Sequence, residues 1–296
     1  MSEKRKNQFT HLKIHTQYSI CEGAIKIDDL KNYCKKNKVH AIGINDTKNL
    51  CGALEFSEAI SKVGTQPIIG TQINFKYKNF TGLLPVVANN FQGYKNIINL
   101  SSKSYLENNS NEDSLCSFND LLETKSGISV FSGSLNSLIG NLFSNNLITE
   151  IDEIFKVLKN VYKDNFYIEI QRHDDVGEKA FEFFLLKKSK ELEIPLMASH
   201  EVFYFDKEMQ EAHDALLCIG EKTYINEKNR KKYSNQHYLK NNDEMCKVFS
   251  DLPEALENNY NFPIRCHFRP LPSNPILPNI GSEAGIDPNE LLKKYS

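Results

Sequence analysis

The stretch Val39-His-Ala-Ile-Gly-Ile44, which runs directly into Asn45 and Asp46, decides the fold class. It is a short apolar run without polar alternation, and such runs are typical of strands that a parallel sheet buries on both faces. A polar loop follows at once, and the carboxyl ends of such strands carry the functional groups of β/α barrels. The stretch therefore predicts an α/β fold and a first candidate for a functional site, Asp46.

Comparable patterns continue along the chain. Further strands are predicted at residues 9–15, 67–75, 83–88, 128–131, 166–170 and, as the last clear one, 195–198. Helices are predicted at residues 53–63, 92–106, 149–162 and 178–192, together with a shorter one capped by Asp28 or Asp29, and residues 107–117 are predicted as a polar loop. This gives about seven β/α units, which suits a barrel better than an open doubly wound sheet, although periodicity alone does not separate the two.

Composition excludes several classes of protein. Lys and Arg together number 36 against 38 Asp and Glu, so bulk charge does not predict a nucleic-acid coat. No apolar run is long enough for a membrane span, and the charged start leads into no signal sequence, so secretion is not expected. The seven Cys residues form no CxxC pair, which predicts reduced thiols and a cytoplasmic protein.

Several polar side chains are candidates for chemistry because they follow predicted strands. For Asp46, a catalytic role and a local Asx turn have equal weight. Arg172 and His173 end the strand at 166–170, where they either hold an anion or form a polar pocket rim, and the rim is slightly favoured. His200, which follows the next predicted strand, and His11 are further candidates for the rim.

The first predicted strand brings His11, Lys13 and His15 to one face, because side chains alternate along a strand. Lysine is a cation at neutral pH and repels a divalent metal ion, so this spacing does not indicate a metal site. His11 is favoured as a structural histidine, and the basic run at 228–232 as a solvated face. The phosphate-binding glycine motifs and the nucleophile motif GxSxG are absent from the sequence.

Four stretches resemble one known family: residues 11–19, 45–56, 167–173 and 251–258, which read HLKIHTQYS, NDTKNLCGALEF, YIEIQRH and DLPEALEN. They resemble, in the same order, the polymerase-and-histidinol-phosphatase (PHP) domain at the start of the alpha subunits of bacterial replicative DNA polymerase III. The likeness extends from residue 9 to about residue 266. It implies a distorted seven-stranded, TIM-like barrel, which agrees with the number of β/α units found above.

The resemblance also implies a domain organisation. Residues 1–8 would form an N-terminal tail, residues 9–268 the PHP domain, and residues 269–296 a Pro-rich linker towards the polymerase palm. The palm, with its Mg²⁺ ions and its contacts to DNA, would follow Ser296 in a longer polypeptide, a DNA-directed DNA polymerase. The present chain is therefore expected to be the inactive N-terminal part of that polypeptide, without a cofactor of its own.

Active members of the family bind a cluster of metal ions through His, Asp, Glu and Cys residues. Matched position by position, this set falls on Lys13, His15, Glu22, Asp46, Thr47, Gln72, Leu83, Ser134, Glu201 and Phe203. Leu and Phe cannot bind a metal ion, and a Lys adds positive charge where the cations would sit. The resemblance therefore implies that no metal is bound. The alternative is one ion at His15, Glu22 and Glu201, with residual phosphoesterase or 3′–5′ exonuclease activity.

An eroded metal site changes both the expected role and the expected electrostatics. The resemblance implies that such a domain is a scaffold for the proofreading 3′–5′ exonuclease subunit. Without its cations, a barrel mouth that holds Glu22, Asp46 and Glu201 would be repulsive. We therefore expect Lys13 to form an ion pair with one of these carboxylates.

Overall fold

A single curled sheet organises residues 8–106, 114–275 and 287–295, the part of the chain that the computed structural model describes. Its strands are β1 (Lys13–Ile14), β2 (Ala41–Thr47), β3 (Gln66–Tyr77), β4 (Phe80–Ala88), β5 (Cys116–Ser117), β6 (Ile128–Phe131), β7 (Phe166–Ile170), β8 (Leu196–Ala198) and β9 (Glu201–Val202). Along the sheet they follow the order β8-β7-β6-β4-β3-β2-β1-β9, and β5 pairs with β3.

The sheet closes into a barrel because one short stretch of chain, which contains β8 and β9, pairs with the strands at both ends of the sheet. β8 pairs with β7, and β9 pairs with β1, both in parallel. Ser199 and His200 are the two residues that separate β8 from β9 along the chain. The predicted barrel is therefore confirmed. Its closure depends on β9, which the sequence analysis missed because a two-residue strand shows no periodicity.

The strand β4 interrupts the predicted repetition of β/α units. It lies antiparallel to β3, from Tyr77 opposite Phe80 to Gly70 opposite Val87, and it is also antiparallel to β6. A two-residue turn joins β3 to β4, and its first residue, Lys78, has a left-handed φ of 52°. A turn of this length leaves no room for a crossover helix, so β4 runs against the rest of the predicted parallel set.

Helices cover the sheet. Within the described ranges they are α1 (Ile27–Asn37), α2 (Ala53–Ser61), α3 (Phe91–Leu106), α4 (Phe118–Glu123), α5 (Leu138–Ser144), α6 (Ile148–Tyr162), α7 (Glu178–Leu192), α8 (Gln210–Glu221), α9 (Asn242–Val248), α10 (Pro253–Asn261) and α11 (Pro288–Tyr295). The helix predicted at residues 149–162 is confirmed as α6, and its side chains at Ile151, Ile154, Phe155 and Leu158 are buried in the core at helical spacing. No helix in these ranges has an apolar stretch that would reach across a bilayer.

Two local predictions are wrong. Lys26 precedes α1 without a side-chain cap, so neither Asp28 nor Asp29 is the capping residue; both lie in the first turn, where a negative charge favours the helix dipole. Residues 116–117 of the predicted loop form β5, because they pair with the long strand β3. The preceding residues 107–113 lie outside the described part of the chain.

The expected domain boundaries after residues 8 and 268 remain predictions. Residues 1–7, 276–286 and 296 lie outside the described residues, so the structure shows only parts of the expected tail and linker. In the described part of the linker, the Ser57 hydroxyl of α2 donates a hydrogen bond of 2.6 Å to the carbonyl of Pro270. The first residues of the linker therefore pack on the barrel.

Candidate functional site

Four buried side chains meet beside β1, β3 and β9 and form what we call the Glu201 centre: Lys13, His15, Gln72 and Glu201. One carboxylate oxygen, Glu201 Oε1, lies 2.6 Å from Gln72 Nε2 and 3.0 Å from His15 Nε2. Lys13 Nζ lies 3.4 Å from the same oxygen. Parallel pairing of β9 with β1 places Lys13 opposite Glu201, so the register of the sheet brings the two charges together.

The ammonium group of Lys13 lies between two buried carboxylates. Besides Glu201 it contacts Oε2 of Glu169 on β7 at 3.6 Å, and the side chains of Lys13 and Glu169 are only 2% and 1% exposed. The pair with Glu201 is the ion pair that the sequence predicts. Glu169 was missed, although a Glu inside an apolar strand is a signal for a buried charge. Burial raises the pKa of Glu201, but the Lys13 charge and the His15 hydrogen bond outweigh it and hold that pKa well below its usual range.

The carboxylate of Asp46 anchors the loop that follows β1. It accepts hydrogen bonds from Thr16 N at 2.7 Å, from Thr16 Oγ1 at 2.8 Å and from Ser19 Oγ at 2.7 Å. A carboxylate with three donors at these distances is held strongly in place. This role is neither the catalytic role nor the local Asx turn that the sequence suggested, because Asp46 holds the loop after β1 and not the turn that follows its own strand.

The carboxylate of Glu22 is held by Thr47, which occupies a histidine position of the family. Thr47 Oγ1 donates a hydrogen bond of 2.5 Å to Glu22 Oε2, and Lys231 Nζ lies 2.8 Å from Glu22 Oε1. Burial raises the pKa of Glu22, but the charges of His15 and Lys231 outweigh it, so this pKa lies below its ordinary value. A second lysine therefore supplies positive charge close to the carried-over positions.

The basic run at 228–232 is not a purely solvated face, as the sequence analysis favoured. The side chain of Arg230 is only 4% exposed and contacts both carboxylate oxygens of Asp214, at 2.5 and 2.6 Å. Lys231 reaches Glu22 in the same region. Two ion pairs therefore fasten this segment to α8 and to the loop that follows β1, which the charge pattern along the sequence could not show.

The remaining carried-over positions hold side chains of other chemistry. Phe203 stacks on His15 and on Tyr233, with ring centroids 4.4 and 4.5 Å apart. Leu83 is a half-buried residue of β4. Ser134 follows β6 and lines a cavity beside the Glu201 centre.

One known family matches much of the chain: the sequence model of the PHP domain covers residues 11–173, more than half of the chain. The chain belongs to the PHP domain family. The DNA polymerase III subunit alpha of Rickettsia conorii is 33% identical over 288 residues, and that of Caulobacter vibrioides is 32% identical over 302 residues. These alignments cover 97% and 99% of this PHP chain but 24% and 26% of the relatives, so it spans about a quarter of their length.

A comparison with solved structures finds an amidohydrolase from Chromobacterium violaceum, with a TM-score of 0.42 and 8% sequence identity. The alignment covers 67% of this PHP chain and 88% of the amidohydrolase.

The metal cluster of active PHP domains does not fit the residues of this one. Gln72 Nε2 donates a hydrogen bond to Glu201 Oε1 and the Lys13 ammonium lies 3.4 Å from the same oxygen, whereas a metal ligand needs a free lone pair. Thr47 replaces an imidazole with a hydroxyl that already donates to Glu22. The positions that would surround the cluster are therefore tied together by hydrogen bonds and ion pairs.

Four buried histidines, which we call the histidine column, lie beside the Glu201 centre of this PHP domain: His11, His200, His173 and His237. Neighbouring ring centroids are 5.7, 4.7 and 3.9 Å apart, in that order. The main-chain N–H of Glu201 donates to His173 Nε2 at 3.1 Å, and His237 Nδ1 donates to the Glu201 carbonyl at 3.0 Å. His237 was missed in the sequence because it follows no predicted strand.

The other two members of the column hold the chain that follows His237. Nε2 of His11 donates to the Lys240 carbonyl at 2.8 Å, and Nε2 of His200 donates to the Tyr238 carbonyl at 2.9 Å. Burial lowers the pKa of His11 to about 4 and that of His200 to well below its usual range. His11 therefore has the structural role that the sequence favours, and His200 supports the fold instead of forming an open rim.

Arg172, another predicted rim residue, is committed to two carboxylates. Its guanidinium contacts Glu182 of α7 at 2.5 Å and Asp251 at 2.6 Å, and it donates to the Val248 carbonyl at 2.6 Å. These contacts join α7 to the end of α9. The geometry favours a structural tie over an anion site.

Replacing Lys13 with Met is expected to lower the free energy of unfolding by about 3–5 kcal/mol, because Glu169 and Glu201 would stay buried without their cation. Urea unfolding followed by circular dichroism measures the loss. Lys187→Met is the matched control: Lys187 forms an exposed pair with Glu191, and its loss is expected to cost at most about 1 kcal/mol. Equal effects of the two substitutions would contradict the account of the Glu201 centre.

Three histidines of the column, His11, His173 and His200, have pKa values that burial lowers, and they are expected to make the domain sensitive to mild acid. A buried histidine with a lowered pKa stays neutral in the folded state while the unfolded state binds a proton, so stability falls as the pH drops below about 6.5. For His11, whose pKa lies at about 4, this loss is roughly 3 kcal/mol by pH 4.

Urea unfolding between pH 7.5 and 4.5 measures this slope. His11→Gln is expected to reduce it, and the same change at the exposed His40 is the control. A slope that His11→Gln leaves unchanged would show that His11 does not contribute.

Proposed function

We propose that this PHP domain is the N-terminal domain of a bacterial replicative DNA polymerase III alpha subunit and acts there, in the cytoplasm, as a non-catalytic scaffold. The observation that carries the proposal is the buried Lys13 ammonium, 3.4 Å from Glu201 and 3.6 Å from Glu169. Metal-assisted hydrolysis needs an ion that binds a water molecule and lowers its pKa. An ammonium group balances the charge of the carboxylates but has no ligand position for water.

The hydrogen bonds of the Glu201 centre support the same conclusion against the single-ion alternative. An ion at His15, Glu22 and Glu201 would have to compete with the contacts that these residues already make. Glu22 is held by Thr47 and Lys231, and Glu201 by Lys13. Binding would leave at least one of these ammonium groups beside the new cation, which is unfavourable in a low-dielectric site.

The partner that we propose is the proofreading 3′–5′ exonuclease subunit of the polymerase. Contacts to DNA, and the Mg²⁺ ions of polymerisation, would belong to the parts of the relatives that this chain does not span. The support is the family relationship together with a full-size barrel whose carried-over positions are neutralised. A domain of this kind is retained most simply as a binding platform.

An exposed apolar surface offers a place for such a partner. Its residues are Ile20, Ile219, Tyr224 and Ile225, with exposed fractions of 84%, 70%, 82% and 58%. Cys21 and Gly220, the residues next to Ile20 and Ile219, are in close contact, and Tyr224 and Ile225 follow α8 along the chain. Clusters of exposed apolar side chains of this kind mark interaction sites, and we propose that a flexible segment of the exonuclease binds here.

Hydrolysis assays test the absence of catalysis. The purified chain with added Mn²⁺ or Zn²⁺ is expected to hydrolyse neither a nitrophenyl phosphodiester nor the 3′ end of single-stranded DNA above the rate of buffer with the same metal. Metal-dependent turnover that disappears in His15→Gln would contradict the scaffold proposal and favour the single-ion alternative.

Calorimetry tests the partner. Titration of the exonuclease subunit from the same organism is expected to give a complex with a negative heat-capacity change, because binding buries apolar surface. The double substitution of Tyr224 and Ile225 to Ser is expected to weaken the complex. Phe183→Ser, a change at a 75% exposed aromatic residue of α7, is the control and is expected to bind normally. No complex between two folded proteins would contradict the proposed partner.

A further inference from the structure

The surface at the amino end of the barrel, which we call the amino-end face, carries an excess of positive charge. It is formed by residues 37–40 before β2, 62–65 before β3, 163–165 before β7 and 263–269 after α10. Its charged side chains are five cations and one carboxylate: Lys38, Lys62, Lys163, Arg265 and Arg269 against Asp164. The whole chain has a net charge of −2, so positive charge is concentrated on this face.

Hydrogen bonds hold the segments of the amino-end face in one surface. The main-chain N–H of His267 donates to the Asn89 carbonyl at 2.7 Å, which ties the chain after α10 to the end of β4. Gln66 Nε2 donates to the Cys266 carbonyl at 2.8 Å. The main-chain N–H of Gln66 donates to the His40 carbonyl, also at 2.8 Å. The segments that carry the charges are therefore fixed relative to one another.

A cavity of about 850 Å³ lies in the amino-end face. The side chains of His40, His267 and Arg269 line it, and within the described part of the chain no carboxylate does. A cavity of this size is in the range of ligand-binding clefts. Because its lining combines basic and neutral polar groups, it favours an anionic occupant.

The guanidinium group of Arg265 is oriented by acceptors that carry no charge. Its Nη1 donates to the Asp164 carbonyl at 2.8 Å and to Asn165 Oδ1 at 3.1 Å. Arg265 is an exposed residue, so its positive charge lies at the surface. An oriented guanidinium group can bind a phosphate or a carboxylate through two N–H groups. The charges alone therefore fit a nucleic acid or an acidic peptide.

Aromatic side chains beside these charges favour the nucleic acid. Phe268 precedes Arg269 in the chain. Its ring centroid lies 5.2 Å from that of Phe91 and 5.1 Å from that of Tyr94. Phe91 is 54% exposed, and Lys95 Nζ lies 4.4 Å from the centroid of its ring. Exposed aromatic rings among cations are typical of surfaces on which single-stranded nucleic acids stack their bases.

We propose that the amino-end face binds a single-stranded nucleic acid, with phosphate groups at its cations and a base on the ring of Phe91. The contact is additional to those that polymerisation needs. It does not rest on the scaffold role either, because the face and the Glu201 centre lie at opposite ends of the barrel. The strand β2 begins at the face and ends at Thr47, whose Oγ1 lies 3.3 Å from His15 Nδ1.

Fluorescence anisotropy with a labelled single strand of about 16 thymidines tests the proposal. Binding is expected to weaken as salt is added, with a slope of log K against log salt concentration of about −2 if three phosphates are contacted. Lys62→Gln combined with Lys163→Gln is expected to reduce the size of this slope by about 1, because both lysines are exposed and each would contact one phosphate. The same double change at the exposed Lys222 and Lys228 is the control and is expected to leave the slope unchanged.

The substitution Phe91→Ala separates stacking from charge. It is expected to weaken binding by about fivefold or more at every salt concentration and to leave the slope unchanged, because a lost stacking contact releases no counterions. Phe183→Ala, at a 75% exposed position of α7, is the matched control and is expected to bind normally. Equal affinities of the Phe91 and Phe183 variants would contradict the proposed stacking.

Competition against the wild-type chain distinguishes the two anionic partners without any variant. Polyglutamate at the same concentration of charge is expected to displace little of the strand, because it has no bases to stack. Full displacement by polyglutamate would overturn the proposal and assign the face to an acidic peptide. The absence of binding at low salt, or an unchanged slope in the Lys62 and Lys163 double variant, would also overturn it.

Discussion

The barrel depends on the placement of one residue, Glu201. Its main chain pairs with Lys13 in β1 and so closes the sheet, although β9 is only two residues long. His173 and His237 hold its N–H and carbonyl groups, which a strand of this length cannot satisfy by pairing alone. Its carboxylate gathers the side chains of the Glu201 centre. The atoms of Glu201 therefore both close the sheet and hold the side chains of the Glu201 centre in place.

Electrostatics explain how the side chains of the Glu201 centre are held together. A buried carboxylate is costly unless a cation lies beside it, and Lys13 supplies that cation to both Glu201 and Glu169. Lys231 does the same for Glu22 from a segment far away in the sequence. An ammonium group restores the charge balance but not the Lewis acidity of a metal ion. In this PHP domain, positive charges from the chain itself therefore balance the carboxylates at the carried-over positions.

The buried histidines show how imidazole groups can hold main-chain groups in the interior of the domain. A neutral imidazole can donate from one nitrogen and accept at the other, so it can satisfy main-chain groups in a place where water has no access. His11 and His200 hold carbonyls of the chain after His237, which therefore packs along the barrel. The arrangement makes the fold depend on neutral histidines, which explains the expected sensitivity to acid.

Much of this could be predicted from the sequence, because the signals are local. Apolar runs indicated β2 and β7, periodicity indicated α6, and alternation along the first strand placed Lys13 and His15 on one side. The expected ion pair of Lys13 needed the resemblance to the PHP family as well, because only the resemblance placed carboxylates beside it. Tertiary structure alone decided the direction of β4, the closure by β9, and the partners of Glu169, Lys231 and His237. These features depend on residues far apart in the chain. Periodicity indicates which face of a helix or strand is buried, but it does not indicate which distant charge or carbonyl that face contacts.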